Sequence, residues 1–160
     1  LWGDAVDAEN LFWQCIEHVK SLSDKALADE PVYVSIGGST VQKPAEFLVR
    51  EVVENVSFSD TVTSTLGGVL ASGHYRVEFS VACQAWAQRA SLMDASELVQ
   101  SWMLALFRQI AADKTLGGLC VHAEPYVESA GTALDKGTKL YTAAFDFGVR
   151  VKAEIEPTTV

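Results

Sequence analysis

The sequence predicts an α+β domain: a twisted, mainly antiparallel sheet with two helices packed on one of its faces. Two observations carry this expectation. Two stretches, 75–85 and 141–155, alternate apolar and polar residues for far longer than chance allows, as half-buried strands do. Two others, 4–28 and 91–112, repeat apolar residues every three or four positions, as helices with one buried stripe do. A parallel βαβ plan would need a helix between successive strands throughout, and the pattern supplies none between most of them.

Taken in order, 4–28 reads as the first helix, with Asp4 as its N-cap and Val6, Phe12, Trp13, Ile16, Val19 and Leu22 as its apolar stripe. Pro31 closes the turn that follows. Val32–Ile36 is a β-branched and aromatic run ended by Gly37 and Gly38, the punctuation of a strand entering a turn. After Pro44 a second strand is expected near Phe47. The run from Phe47 to Phe58 fits a partly exposed strand or a short helix, and its valines favour the strand; Leu48, Val52, Val56 and Phe58 share one parity, interrupted by Arg50 and Glu54.

Residues 59–73, rich in Ser, Thr and Gly, read as a long loop. In the strand after it, Tyr75, Val77, Phe79, Val81, Cys83 and Ala85 alternate with Arg76, Glu78, Ser80, Ala82 and Gln84. Ser91 caps the second helix with Asp94 at the capping-box position, and Leu98, Trp102, Ala105, Leu106 and Ile110 form its stripe. Asp113 and Gly117–Gly118 stop it. A short alternating segment, Leu119–Glu124, leads to a second loop over 125–139. The closing strand then places Tyr141, Ala143, Phe145, Phe147, Val149, Val151, Ala153 and Ile155 on one face. One domain over 1–156 with a short tail, 157–160, is the expected organisation of these 160 residues.

Composition narrows function. At 49% hydrophobic and 21% charged residues the chain is ordinary for a folded domain. Its formal charge is −9 and no Lys/Arg cluster interrupts it, which argues against nucleic acid as a tightly held ligand, since phosphates need a basic patch. An acidic wall can still let DNA slide past. Neither an apolar run of bilayer length nor a signal-peptide pattern is present, so we expect a soluble chain, made in a reducing cytoplasm. Cys15, Cys83 and Cys120 are odd in number, widely spaced and set in apolar surroundings; buried free thiols are the expectation.

No catalytic, cofactor or metal site is expected. His18, His74 and His122 lack metal-ligand spacing, and the three Gly-Gly pairs lack the partners that phosphate cradling requires. Glu51 with Glu54, and Asp146 with Glu154, are the carboxylate groupings open to acid–base work, and each reads more simply as the solvated side of a strand. Thr-Leu-Gly-Gly occurs at 65–68 and 115–118 with unlike flanks, which we take as chance. Trp2 and Trp86 fit either core or interface. The unusual features are physical: two strands beyond the common length and two loops of about fifteen residues. Such strands and loops invite contacts between chains; bulged strands and floppy loops are the alternative reading, and the sequence leaves both open.

The segment "LVQSWMLALFRQIAADKTLGGLC" resembles the second helix of siphophage tail-terminator or tail-completion proteins, in which a helix ends in an Asp-x-Thr-Leu-Gly-Gly-Leu turn before a strand. In this chain that turn is Asp113, Thr115, Leu116, Gly117, Gly118 and Leu119. The N-terminal helix, the strand "YRVEFSVACQAWA" and the closing strand "LYTAAFDFGVRVKAEIE" are similar in order too. The resemblance implies a structural virion protein of the tail-neck region, made in the host cytoplasm. It would form a homo-hexameric ring that caps the tail tube, bind the major tail tube protein and the head-side connector or head-closure protein, and let DNA pass its lumen without specific binding; no membrane and no catalysis are implied. The candidate interface residues are Thr63, Ser64, Thr65, Leu66, Val69 and Leu70 in the first loop, and Tyr126, Val127, Leu134, Lys136 and Lys139 in the second. Two other readings remain: another neck protein, a head-closure or connector component; and a small α+β enzyme or ligand-binding domain with a pocket between sheet and helices.

Overall fold

The computed structural model describes residues 10–38, 41, 43–60 and 75–155, with Asp60 by its backbone alone. Within them lie two helices and a six-stranded, mostly antiparallel sheet, the expected α+β class. The elements are α1 (Leu11–Ala26), β1 (Tyr33–Ile36), β2 (Ala45–Val49), β3 (Glu54–Asp60), β4 (Tyr75–Arg89), α2 (Leu92–Ala111), β5 (His122–Asp135) and β6 (Leu140–Ile155). Asp4, Val6, Trp2, His74, the tail 157–160 and all of the first loop but Ser59 and Asp60 lie outside the described residues.

Strand order is β1-β2-β4-β6-β5, with β3 beside β4 next to β2. The long central pair forms as its alternation predicts: β4 and β6 run antiparallel from Tyr75 opposite Ile155 to Arg89 opposite Tyr141. Val77, Phe79, Val81, Cys83, Ala85 and Ala87 of β4, and every odd residue from Ala143 to Ala153 of β6, are buried. Neighbours on the same face therefore meet across strands, and their removal from water supplies the sheet's main stabilisation.

The run from Phe47 to Phe58 is two strands, not one, and its buried parity is the other one. Phe47 and Val49 are wholly buried, whereas Val52, Val56 and Phe58 are 69%, 40% and 61% exposed. Both parities of this run are apolar, so alternation alone could not choose; the choice falls to pairing, with β2 lying along Cys83–Ala87 and β3 along Tyr75–Ser80 of the same edge of β4. The chain breaks register between them over 50–53. β1 pairs parallel to β2 after a connection of only 37–44, which suffices because β1 has four residues to run back over. Gly37 and Gly38, at φ +82° and +83°, make that turn.

The second expected loop, 125–139, is a correction: most of it is strand. β5 pairs with β6 from His122 opposite Lys152 to Asp135 opposite Leu140, with a bulge between Val127 and Ser129. Only 136–139 form the turn, closed by Lys139 N–H to the Asp135 carbonyl (2.7 Å) and Gly137 N–H to Asp135 Oδ1 (2.9 Å). Its residues, "ESAGTALDKGT", have little intrinsic strand preference; the unbroken apolar template of β6 imposes the pairing.

Each helix buries one stripe, as spacing predicts. On α1 it is Leu11, Cys15, Ile16, Val19 and Leu22. Trp13, assigned to that stripe from the sequence, is 45% exposed because it projects almost opposite Leu11. Phe12 meets Phe79 of β4 edge to face at 4.7 Å. On α2 the stripe is Ala95, Val99, Trp102, Leu106 and Ile110; Leu98 and Ala105, assigned to it from the sequence, are only half-buried. The Ser91 side chain accepts from Asp94 N–H at 3.4 Å, the predicted cap.

The turn after α2 is locked to α1. Asp113 Oδ2 lies 2.7 Å from His18 Nε2, and Asp113 Oδ1 accepts from Gly117 N–H at 2.9 Å. Leu116, Gly117 and Gly118 all have positive φ, and Leu116 anchors the turn by full burial of its side chain. A Cβ at Gly117 would stand 2.9 Å from the His18 ring. Burial alone would raise the Asp113 pKa, but hydrogen bonds from His18 and from Gly117 N–H, with the charges of His18 and Lys25, outweigh it and hold the carboxyl below its usual range. A carboxyl with a lower pKa folded than unfolded stabilises above the unfolded value and loses that stabilisation as pH falls through the folded one. Asp113→Asn is therefore expected to cost about 1–2 kcal/mol at neutral pH. In urea titrations the gap to wild type should narrow as pH drops below about 4; a pH-independent gap would assign the cost to geometry rather than charge.

Candidate assembly surface

β6 is flanked from Tyr141 to Lys152 by β4 on one side and β5 on the other, but β5 is covered only near its start. From Glu128 to Lys139 every residue is exposed, on both faces of the strand. Among the described residues no strand pairs with the outer side of β5. Eight strand residues, 128–135, extend about 26 Å at strand rise, so the hairpin end is a long free edge rather than a frayed tip. Of the residues assigned from sequence to an interface, Leu134 (50% exposed) lies near this end and Lys136 and Lys139 form its turn. Thr63, Ser64, Thr65, Leu66, Val69 and Leu70 lie outside the described residues.

Tyr126 and Val127 occupy the base of the arm. Tyr126 lies opposite Gly148, whose bare Cα leaves room for the phenol ring; a Cβ there would overlap it. Val127 is 46% exposed and, with Pro125, forms one wall of an apolar groove of about 310 Å³; Met103, Leu104 and Phe107 of α2 form the other. Leu104 and Phe107 are 57% and 52% exposed, and they were not singled out from the sequence. Their signal was present: "WMLALF" is six apolar residues in succession, more than one helix face can bury.

The sheet's other face is polar and internally paired. Arg150 reaches Glu78 (3.5 Å), Ser80 Oγ (3.4 Å) and the Asn55 carbonyl (3.1 Å); Arg76 lies 4.0 Å from Glu154, and His122 2.9 Å from Glu124. The structure separates Asp146 from Glu154 along β6 and gives Glu51 and Glu54 different neighbours. Asp146 accepts from Ser129 Oγ at 2.8 Å while Glu154 faces Arg76. Glu51 lies against Gly37, and Glu54 pairs with Ser80 across the register break. His18 and His122 have separate carboxylate partners. Among the described residues no three His, Cys, Asp or Glu are placed to share a metal ion, and no described helix is long and apolar enough to cross a membrane.

All three thiols are free and buried. Burial raises Cys15 to about 12, with Cys120 nearby adding to it, and raises Cys83 further still. Cys120 reaches about 11 through burial and the Asp113 charge, partly offset by a backbone hydrogen bond at His122. Protonated and covered, they are poor nucleophiles at neutral pH. No protein-family model matches this sequence, and no functionally characterised protein matches it.

Two outcomes follow. Native protein should react with a thiol reagent at pH 8 far more slowly than denatured protein, which should release three equivalents; fast titration of any thiol in the native state would contradict its burial. Replacing Leu104 and Phe107 together by Ser should change folding stability by no more than about 1 kcal/mol, because each is half exposed. A larger loss in a denaturant titration would mean that the groove is part of the core.

Proposed function

We propose that the chain is a structural subunit without catalytic function that assembles head to tail into a ring, and that this ring is the hexameric terminator capping a phage tail tube at the neck of the virion. The observation that carries the assembly part is the β5–β6 arm, an edge strand exposed on both faces over 128–135, which an isolated domain would ordinarily shorten or cover. The tail-specific part rests on the Asp113–Leu119 turn and the element order set out above.

In this reading both helices cover one sheet face and leave the other free. The Phe12–Phe79 contact, the burial of odd residues on β4 and β6, and the packing of α1 on α2 support it. Arg76 and Arg150 of the free face are engaged by carboxylates, which suits a wall that DNA passes without being gripped. Partners would be other copies of the chain, the tail tube protein and the head-side connector.

The test is the mass of the purified protein by light scattering over a concentration series, alone and with tail tube protein. A closed ring, formed alone or on the tube, is expected. A ring that binds only head-side proteins would move the chain to another neck position; a monomer indifferent to concentration and to both partners would end the assembly reading.

A further inference from the structure

We infer that the joint between neighbouring copies is an edge-to-edge strand pairing, in which the end of β5 from one copy adds to β3 of the next; this rests on the ring reading above. β3 pairs with β4 on one side and, among the described residues, with no strand on the other. β1 already covers the outer side of β2, so the open edge on this flank of the sheet begins at β3. The opposite flank ends in β5. Successive antiparallel pairings make β3 and β5 antiparallel to each other, so a second copy in the same orientation presents its β5 antiparallel to this β3, as a ladder requires. Two different edges meeting in this way form a heterologous joint, the kind that closes rings.

Side chains and charge select the register. Phe58 lies opposite Val77 and Leu134 opposite Tyr141, so both stand on the sheet face that carries the buried residues, at its two opposite edges. They are 61% and 50% exposed, and pairing them would cover both. With Phe58 beside Leu134, antiparallel geometry brings Glu54 alongside the turn that holds Lys136 and Lys139. Glu51 lies against Gly37 at the end of β1, where an added strand must stop and where the hairpin reverses. Two carboxylates at the stop, with Arg50 beside them, thus face two lysines on the arriving tip, a complementarity within a chain of net charge −9.

The test uses the full chain. Phe58→Cys and Leu134→Cys proteins, prepared separately, mixed with tail tube protein and oxidised with copper phenanthroline, should form a disulfide-linked dimer that neither forms alone; the native cysteines are buried and give little background. Glu54→Lys, or Lys136→Glu with Lys139→Glu, should weaken association about tenfold at low salt, and combining them should restore it. Wild-type rings with no mixed cross-link and no charge effect would overturn this joint and leave the ring reading standing. Cross-linking of either variant with itself would make the joint isologous and overturn it too. A wild-type monomer under all conditions would remove both.

Discussion

The whole arrangement depends on β6 being paired on both sides from Tyr141 to Lys152. Its odd residues bury against β4 neighbours such as Phe79 and Val81, and its even residues keep Arg150, Asp146 and Glu154 on the polar face. Because side chains alternate with period two, a slip of one residue would exchange these sets and put Arg150 where Val149 lies. That penalty fixes the register of β4, and through β4 the positions of β2 and β3 along its far edge. It also fixes β5, whose own residues favour no particular register. The arm is long because β6 is, not because of anything in its own composition.

A second constraint joins the helices to that sheet. Asp113 sits where α2 ends, and its two oxygens are both committed, one to His18 on α1 and one to the turn that starts the path into β5. The helix-to-strand turn, the α1 position and the start of the arm are therefore set together. Positive φ at Leu116, Gly117 and Gly118 makes the turn tight enough for His18 to lie against Gly117, a contact no side chain at 117 would permit without movement.

What could be read from the sequence follows from whether the signal was local. The alternation of β4 and β6, the Ser91 cap of α2 and the glycine stop at 117–118 are local patterns, and each formed as expected, while the α2 stripe kept Trp102, Leu106 and Ile110 but buries Ala95 and Val99 rather than Leu98 and Ala105. The parity of Phe47–Phe58 was ambiguous because Phe47 and Val49 compete with Leu48 and Val52, and only pairing with β4 decides between them. β5 was missed because small and polar residues around Gly131 signal a loop while a neighbouring strand 17 residues away from Ser129, through Asp146, holds them extended. The His18–Asp113 tie spans 95 residues and has no local trace. For the candidate interface, Leu134, Lys136 and Lys139 were picked as loop residues and prove to be strand end and turn, exposed at the end of a hairpin paired to β6.

That change of support matters for how the surface can act. A floppy loop loses conformational entropy when it binds, whereas a strand already held by β6 has largely lost it on folding. An open edge of this kind gains backbone hydrogen bonds with any extended chain, so selectivity has to come from side chains. Lys136 and Lys139 at the turn, Leu134 just before it and the bulge at Val127–Ser129 limit what can pair along the arm. Lysines at an edge discourage pairing with another copy of the same edge by like-charge repulsion, yet favour an edge bearing carboxylates. In the proposed assembly the same two residues would oppose a symmetric dimer and favour a head-to-tail joint, and only the second geometry can continue from copy to copy into a ring.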